Sequence, residues 1–317
     1  MHVIQSLFYC LLFVFTFHYV KGYQHHHFHH HHHNNHNNHQ PVDEIGSPIS
    51  TKELRKVSEV IFELLPSGLF PSIDVNYQGQ RETKDAKDEA PEPLFFIPLD
   101  LFEVLPPIEL MRKLYDNYNL NSHYHEHVTL EEDIEENQFI NSLLEQELLV
   151  YTMDFLASKG YFAKNFHEYK RILKDLWFRR FSRFNETALG SSGFEHVFLV
   201  EKKHNRYITG LHNWIFFADE ENSNKANYLG YVAKVDLHNK AAILKFYVSY
   251  LGKTKLTSMF IGTPPEFEIA LYTLCHFARP NKVCKVTLGN VKVAIMTHSE
   301  SIDNQQVIST AFPKIYA

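Results

Sequence analysis

Cysteine is scarce in this chain: there are three in 317 residues, and one of them, Cys10, lies in the apolar stretch at the N-terminus. An excess of positive charge is also lacking, since 31 Lys and Arg stand against 37 Asp and Glu, for a formal net charge of −6. That balance excludes a generic nucleic-acid-coating protein. Any nucleic acid must be drawn to a local basic patch, and its binding must weaken with salt. The apolar run SLFYCLLFVFTFHYV is too short and too early for a membrane span, and it reads as the core of a secretory signal over 1–22. His2 is the only basic side chain ahead of it, and an uncleaved anchor is the alternative. Cleavage before Tyr23 gives a secreted chain with no stable membrane association. It also leaves two cysteines, Cys275 and Cys284, an even count for an oxidising compartment. They can form a disulfide, one ending a helix and the other opening the next strand, or remain two buried thiols.

Histidine is abundant instead, with 22 residues, many of them in HHHFHHHHHNNHNNHQ from His25 to Gln40. A segment of this composition, spanning 23–43, cannot bury an apolar core and is expected to be disordered. Its imidazoles can bind zinc, copper or nickel, so a metal-capturing or pH-responsive tail and a repeat expansion with no selected role both stand. The remaining 44–317, in a chain that is 44% hydrophobic, can fill a real core.

Helical signals dominate its first part. Ser50 with Glu53 and Thr129 with Glu132 are capping boxes. The first opens a helix with Leu54, Val57, Val60, Ile61 and Leu64 on one side; the second opens one that turns Ile134, Phe139, Ile140, Leu143 and Leu144 inward. Further helical pattern runs from Glu145 to Gly160 and from Phe166 to Phe181. Beyond Ser182 the period shortens, with β-rich runs at 197–200, 207–211, 228–235, 243–250, 258–262, 283–288 and 291–297. One helix interrupts them, PPEFEIALYTLCHF, with Thr263 as cap and Glu266 completing the box. The expectation is an α+β fold, a helical lobe over 44–182 followed by antiparallel sheets over 183–317. Asn185-Glu186-Thr187 is an N-glycosylation triplet, with Asn185 as acceptor.

Candidate acid, base and anion-binding groups crowd into SSGFEHVFLVEKKHNRYITGLHNW, Ser191 to Trp214. His196 and His212 flank a basic, turn-like insert, so a hairpin or a strand, turn, strand unit can bring the two imidazoles together. Two histidines near one site can take and give a proton near neutrality. Cleavage of RNA by its own 2′-hydroxyl needs one of each and a fixed positive charge for the phosphorane. His204 and His238 read as ordinary surface or core histidines.

GSSGFEHVF followed by Glu201, then HNW, SMFIGTPPEFEIALYTLC and RPNKVC, resemble the signature blocks of the EndoU family, poly(U)-preferring endoribonucleases of the XendoU type. The blocks occur in the family's order, and the likeness covers about Glu44 to Phe312. It implies cleavage of single-stranded RNA, preferentially at uridines, leaving a 2′,3′-cyclic phosphate with Mn2+ in support; a monomer is expected. It gives His196 and His212 the two catalytic positions, without settling which is base and which acid. Lys255 takes the catalytic lysine's place, with Lys253 as the alternative across a one-residue gap. Glu195 and Glu201 match motif carboxylates that could orient an imidazole or help hold the metal. Thr297 matches the family pattern, and His298 stands where an aromatic stacks on the uridine base. Leu211 replaces the phenylalanine usual before HNW. The shifted lysine and His298 motivate a rival, a non-catalytic RNA-binding member of the same fold, and the histidine tract motivates another, a secreted metal-binding protein.

Overall fold

The computed structural model describes residues 46–315 apart from 85–86, 99, 104, 184–187 and 204–205. The signal segment, the histidine tract, His204 and Asn185 lie outside the described residues.

Ser50 caps α1 (Thr51–Glu63): its hydroxyl accepts from the Glu53 N–H while the Glu53 side chain accepts from the Ser50 N–H. The short strands β1 (Asp74–Val75) and β2 (Phe95–Phe96) pair antiparallel. Four helices follow: α2 (Pro106–Lys113), α3 (Leu130–Leu144), α4 (Glu147–Ser158) and α5 (Phe166–Phe178). The second capping box, Thr129 with Glu132, opens α3. Its inward face starts later than the apolar pattern suggests. Ile134 is 46% exposed, like Leu130 one turn before it, whereas Phe139, Ile140, Leu143 and Leu144 are buried.

The second part departs from a simple run of strands. Residues Gly193–Phe198 form a short helix, α6, capped by the Ser192 hydroxyl on the Glu195 N–H at 3.1 Å. Phe194, Val197 and Phe198 are spaced i, i+3, i+4, the helical interval, and all six residues are buried. His196 therefore stands on a helix and not on a strand. The hairpin comes after it, β3 (Val200–Lys203) with β4 (Tyr207–Gly210). A further helix absent from the sequence reading, α7 (Trp214–Asn222), is capped by the Asn213 side-chain oxygen on the Ile215 and Phe216 N–H groups, each at 3.1 Å. Its opening apolar run disguises the helical period, because it is buried on every side there.

Strands β5 (Ala226–Asp236), β6 (Ala242–Tyr250) and β7 (Lys253–Ile261) form one antiparallel sheet. Then come α8 (Pro265–Ala278) and a second antiparallel sheet, β8 (Val283–Leu288), β9 (Val291–Ile302) and β10 (Gln305–Lys314), in the order β10-β9-β8. Pro264 is the N-cap of α8; Thr263 caps nothing and donates instead to Glu268 at 2.9 Å. Strand β10 carries Pro313, which lacks an N–H, and its place at a sheet edge tolerates that. Cys275, in the last turn of α8, is disulfide-bonded to Cys284 on β8.

Helices before residue 183 and strands after it share one core. Ser58 of α1 donates to the Thr287 carbonyl of β8 at 3.0 Å, and the buried Trp177 indole of α5 donates to the buried Thr273 of α8 at 3.1 Å. The change at 183 is a change of element type, and packing crosses it. The structure is thus helical first and antiparallel β afterwards, an α+β fold.

Candidate active site

Gly210, the last residue of β4, is where the candidate groups meet. Its φ is +72°, and a Cβ placed on it would stand 2.2 Å from the His196 carbonyl oxygen, so only glycine lets the hairpin lie this close to α6. Leu211 continues the turn at φ +62° and delivers His212 against β7. From β7, the Lys255 ammonium reaches back to donate to the Gly210 carbonyl. The His196 and His212 ring centroids are 6.0 Å apart. One backbone turn therefore brings together His196, His212 and Lys255, while Lys253, two residues earlier, is exposed.

Each imidazole is held by its Nδ1. For His196 the partner is a Glu201 carboxylate oxygen on β3, so Nδ1 carries the hydrogen. Glu201 is itself fixed from behind: the Ser191 hydroxyl donates to its other oxygen, and Arg183 pairs with it at 3.0 Å. His212 donates Nδ1–H to the Ser258 carbonyl at 3.0 Å, with the Thr257 hydroxyl oxygen at 3.2 Å, while Thr257 donates to the Leu211 carbonyl. Acceptors facing both Nδ1 atoms leave Nε2 as the lone-pair nitrogen of each neutral ring. The two histidines are 9% and 8% exposed, enclosed but reachable.

Burial sets the protonation states. It lowers His196 to about 4, with Arg183 adding to the effect and Glu201 opposing it. It holds His212 well below the usual imidazole value, helped by the Lys255 charge. The Lys255 ammonium is brought down to about 7 by desolvation, against the pull of Glu201. Glu201, despite burial, is lowered to about 2 by His196 and Arg183. At neutrality the resting site holds two neutral imidazoles, a carboxylate and a lysine poised near its midpoint.

The two motif glutamates differ sharply. Glu201 orients His196. Glu195, on α6, is fully buried, neither carboxylate oxygen has a hydrogen-bond partner, and burial with the Glu201 charge raises it well above the usual carboxylate range. Burial thus favours its neutral form in the core. The two do not make a cation site. Glu201 is already committed to Arg183, Ser191 and His196, burial pushes Glu195 toward its neutral form, and no group of three His, Cys, Asp or Glu with metal-binding geometry occurs among the described residues. The donor set does not fit Mn2+.

Register separates Thr297 from His298. On β9 and β10 the pairs His298–Thr310 and Met296–Phe312 share one face, and Thr297–Ala311 occupies the other. Thr297 is fully buried away from the site face. His298 is exposed, and the aromatic beside the site is Phe312, which stacks on His212 at 4.9 Å between centroids and 19° between planes. Phe312, Arg183, Thr257 and Ser258 are site residues that sequence reasoning missed.

Taken with its helix-then-sheet scaffold, this arrangement is suited to general acid–base chemistry beside a cation. A family model described as "Endoribonuclease XendoU" matches residues 53–313. The "Uridylate-specific endoribonuclease EndoU" of Drosophila melanogaster is 31% identical over 244 residues, 75% of this chain and 75% of that protein. The "Uridylate-specific endoribonuclease" of Bos taurus is 32% identical over 266 residues, 82% of this chain but only 64% of the bovine one. A solved structure, "The structure of XendoU: a splicing independent snoRNA processing endoribonuclease", superposes with a TM-score of 0.71 at 28% identity, covering 84% of this chain and 97% of that one. This chain belongs to the XendoU endoribonuclease family.

Proposed function

We propose that the protein is an endoribonuclease that cleaves single-stranded RNA at uridines by attack of the 2′-hydroxyl on the adjacent phosphorus, leaving a 2′,3′-cyclic phosphate. The observation that carries this is the convergence of two Nδ1-anchored imidazoles and an ammonium around Gly210. The partner of each ring suggests its role. His212 rests against carbonyl and hydroxyl oxygens with no carboxylate behind it, so it stays neutral and its Nε2 accepts the 2′-hydroxyl proton. His196 has the Glu201 carboxylate on Nδ1, which stabilises its imidazolium; once protonated at Nε2, it gives that proton to the departing 5′-oxygen. A bound phosphodiester adds negative charge beside both rings and raises them toward the working range. Lys255 supplies the cation that the phosphorane needs. Each proton lost at the 2′-oxygen is matched by one gained at the 5′-oxygen, and no covalent enzyme intermediate forms.

Uridine preference falls to the face that holds Phe312, whose ring provides an aromatic surface next to His212. Secretion is supported by the apolar leader and by the Cys275–Cys284 bond, which belongs to an oxidising compartment. Glu195 and Glu201 do not assemble a site for a divalent ion. The test is cleavage of otherwise identical oligonucleotides with uridine, cytidine or adenosine at one position, with the product ends identified. Cyclic phosphate ends at uridine alone are expected; hydrolytic 3′-phosphate or 5′-phosphate ends formed without a cyclic precursor would overturn the mechanism.

A further inference from the structure

A groove of about 520 Å³ lies between the end of the β5–β6 pair and the β8–β9–β10 sheet, and four cations line it: Arg55, Lys285, Lys292 and Lys314. None of the ten lining residues is acidic, and its floor includes the buried Ile243 and Ala294. In a chain with net charge −6, a four-cation cluster without a carboxylate in its lining is an anion-binding feature. Arg55, Lys285 and Lys292 are exposed, so their charges are held at the surface.

Register ties this groove to the catalytic turn. Lys314 on β10 and Lys285 on β8 both pair with Ala294 of β9, so the three form one row across the sheet. Lys292 lies two residues from Ala294 on the same face. That face is also the one bearing Phe312, the ring stacked on His212. From Phe312 to Lys314 is two residues of strand, about 7 Å, and the row from Lys314 to Lys285 spans roughly 10 Å more. The groove thus begins two residues along β10 from the ring that stacks on His212.

We infer that the groove lined by Arg55, Lys285, Lys292 and Lys314 is an extended subsite that holds the RNA backbone beyond the nucleotides at the cleaved linkage. This rests on the endoribonuclease reading above. The cations neutralise phosphates without reading sequence, and the apolar floor accepts a base face, the combination used by sequence-tolerant single-strand grooves. The occupant is therefore the flanking strand of the same substrate. Discrimination at uridine stays at the catalytic turn, and the groove sets how strongly length is rewarded.

The test uses the full-length protein, a uridine-containing dinucleotide too short to leave the catalytic turn, and a twelve-nucleotide RNA with one central uridine. Lys285→Ala/Lys292→Ala is compared with wild type. The expected result is a KM for the longer RNA raised about tenfold, with dinucleotide kcat/KM within twofold. Binding of the same RNA with 2′-deoxyuridine at the cleavage position gives a second readout. Each phosphate contact contributes about −0.7 to the slope of log affinity against log salt, so the double variant loses about 1.4 of slope. Equal KM and equal salt slope in the two proteins would overturn the groove while leaving cleavage intact. A parallel loss on the dinucleotide would also overturn it, because the lysines would then be acting at the turn. Failure of wild type to cleave either RNA would instead defeat the endoribonuclease reading.

Discussion

Replacing Glu201 by glutamine keeps the shape of the side chain and removes one charge from the centre of the site. In the native protein that charge faces Arg183 at 3.0 Å, with side chains 0% and 10% exposed. At an effective dielectric of about 20, the attraction over that distance is about 5 kcal/mol before desolvation is counted. Removing one partner of such a pair leaves a buried guanidinium uncompensated, at a net cost of about 3–5 kcal/mol. Arg183 keeps bonds to Ser191 and to the Ser309 carbonyl, each at 2.6 Å, which favours the lower figure. For a domain of this size the melting temperature should fall by roughly 6–15 °C. Activity should fall independently of folding. The glutamine amide can donate to His196 Nδ1 and drive the ring proton onto Nε2, the wrong tautomer, and the imidazolium loses the carboxylate that stabilises it. A loss of about 10² to 10⁴ in kcat is expected, the upper value being that of a triad aspartate replaced by asparagine. Circular-dichroism melting and single-turnover cleavage, both run well below the melting temperature, read the two effects separately, and Glu201→Asp should recover part of each. Turnover within threefold of wild type, with melting within 2 °C, would refute the assignment of Glu201 as the residue that positions His196.

Three further outcomes follow from the same geometry. With His196 near 4 and Lys255 near 7, log kcat/KM should fall with rising pH as the acid loses its proton and steepen above about 7 as Lys255 loses its own. In Lys255→Arg, whose charge persists, the second break should vanish, and a profile flat from about pH 5 to 9 in wild type would count against both groups. Gly210→Ala places a Cβ 2.2 Å from the His196 carbonyl at φ +72°, so a stability loss of about 1–3 kcal/mol and a rate loss of about 10² are expected, measured by denaturant titration and initial rates. Glu268, buried and raised to about 8, is protonated in the fold, so its stabilisation is full below the unfolded value near 4.5 and is lost as pH climbs toward 8. Glu268→Gln should therefore gain on wild type by about 1 kcal/mol per pH unit across that window, and parallel stability curves would contradict the shift.

Much of this fold could be read directly from residue patterns. Ser50–Glu53 and Thr129–Glu132 mark helix starts because both halves of a capping box are written in the chain, and β8 was legible from end to end because its neighbours punctuate it. The helix carrying His196 was misread for a physical reason. Six buried residues show no polar face, so Phe194, Val197 and Phe198 look like a strand core unless the i, i+3, i+4 interval is given priority. Asn213 and the apolar run after it concealed α7 in the same way.

At the site, the histidines and Lys255 were legible through the family-like blocks, whereas their supports were not. Arg183 stands eighteen residues before Glu201, and Phe312 a hundred after His212, so only the folded chain shows that they touch. His298 and Phe312 share one face of the β9–β10 pair, and position along the strands separates them: His298 pairs with Thr310, two residues before Phe312. Thr297 and His298 look like a pair in sequence, but the two-residue period sends them to opposite sides of β9.

Cleavage of a single-uridine RNA under single-turnover conditions by wild type, His196→Ala, His212→Ala and Lys255→Ala, each shown to be folded, tests the arrangement around Gly210 most directly. Wild type should release a 2′,3′-cyclic phosphate, and each variant should be slower by about 10² or more. The decisive contrast is a substrate whose 5′-oxygen is replaced by a better leaving group that needs no proton: it should restore His196→Ala and leave His212→Ala slow. Rescue of both, or of neither, would contradict the division of labour between the two rings.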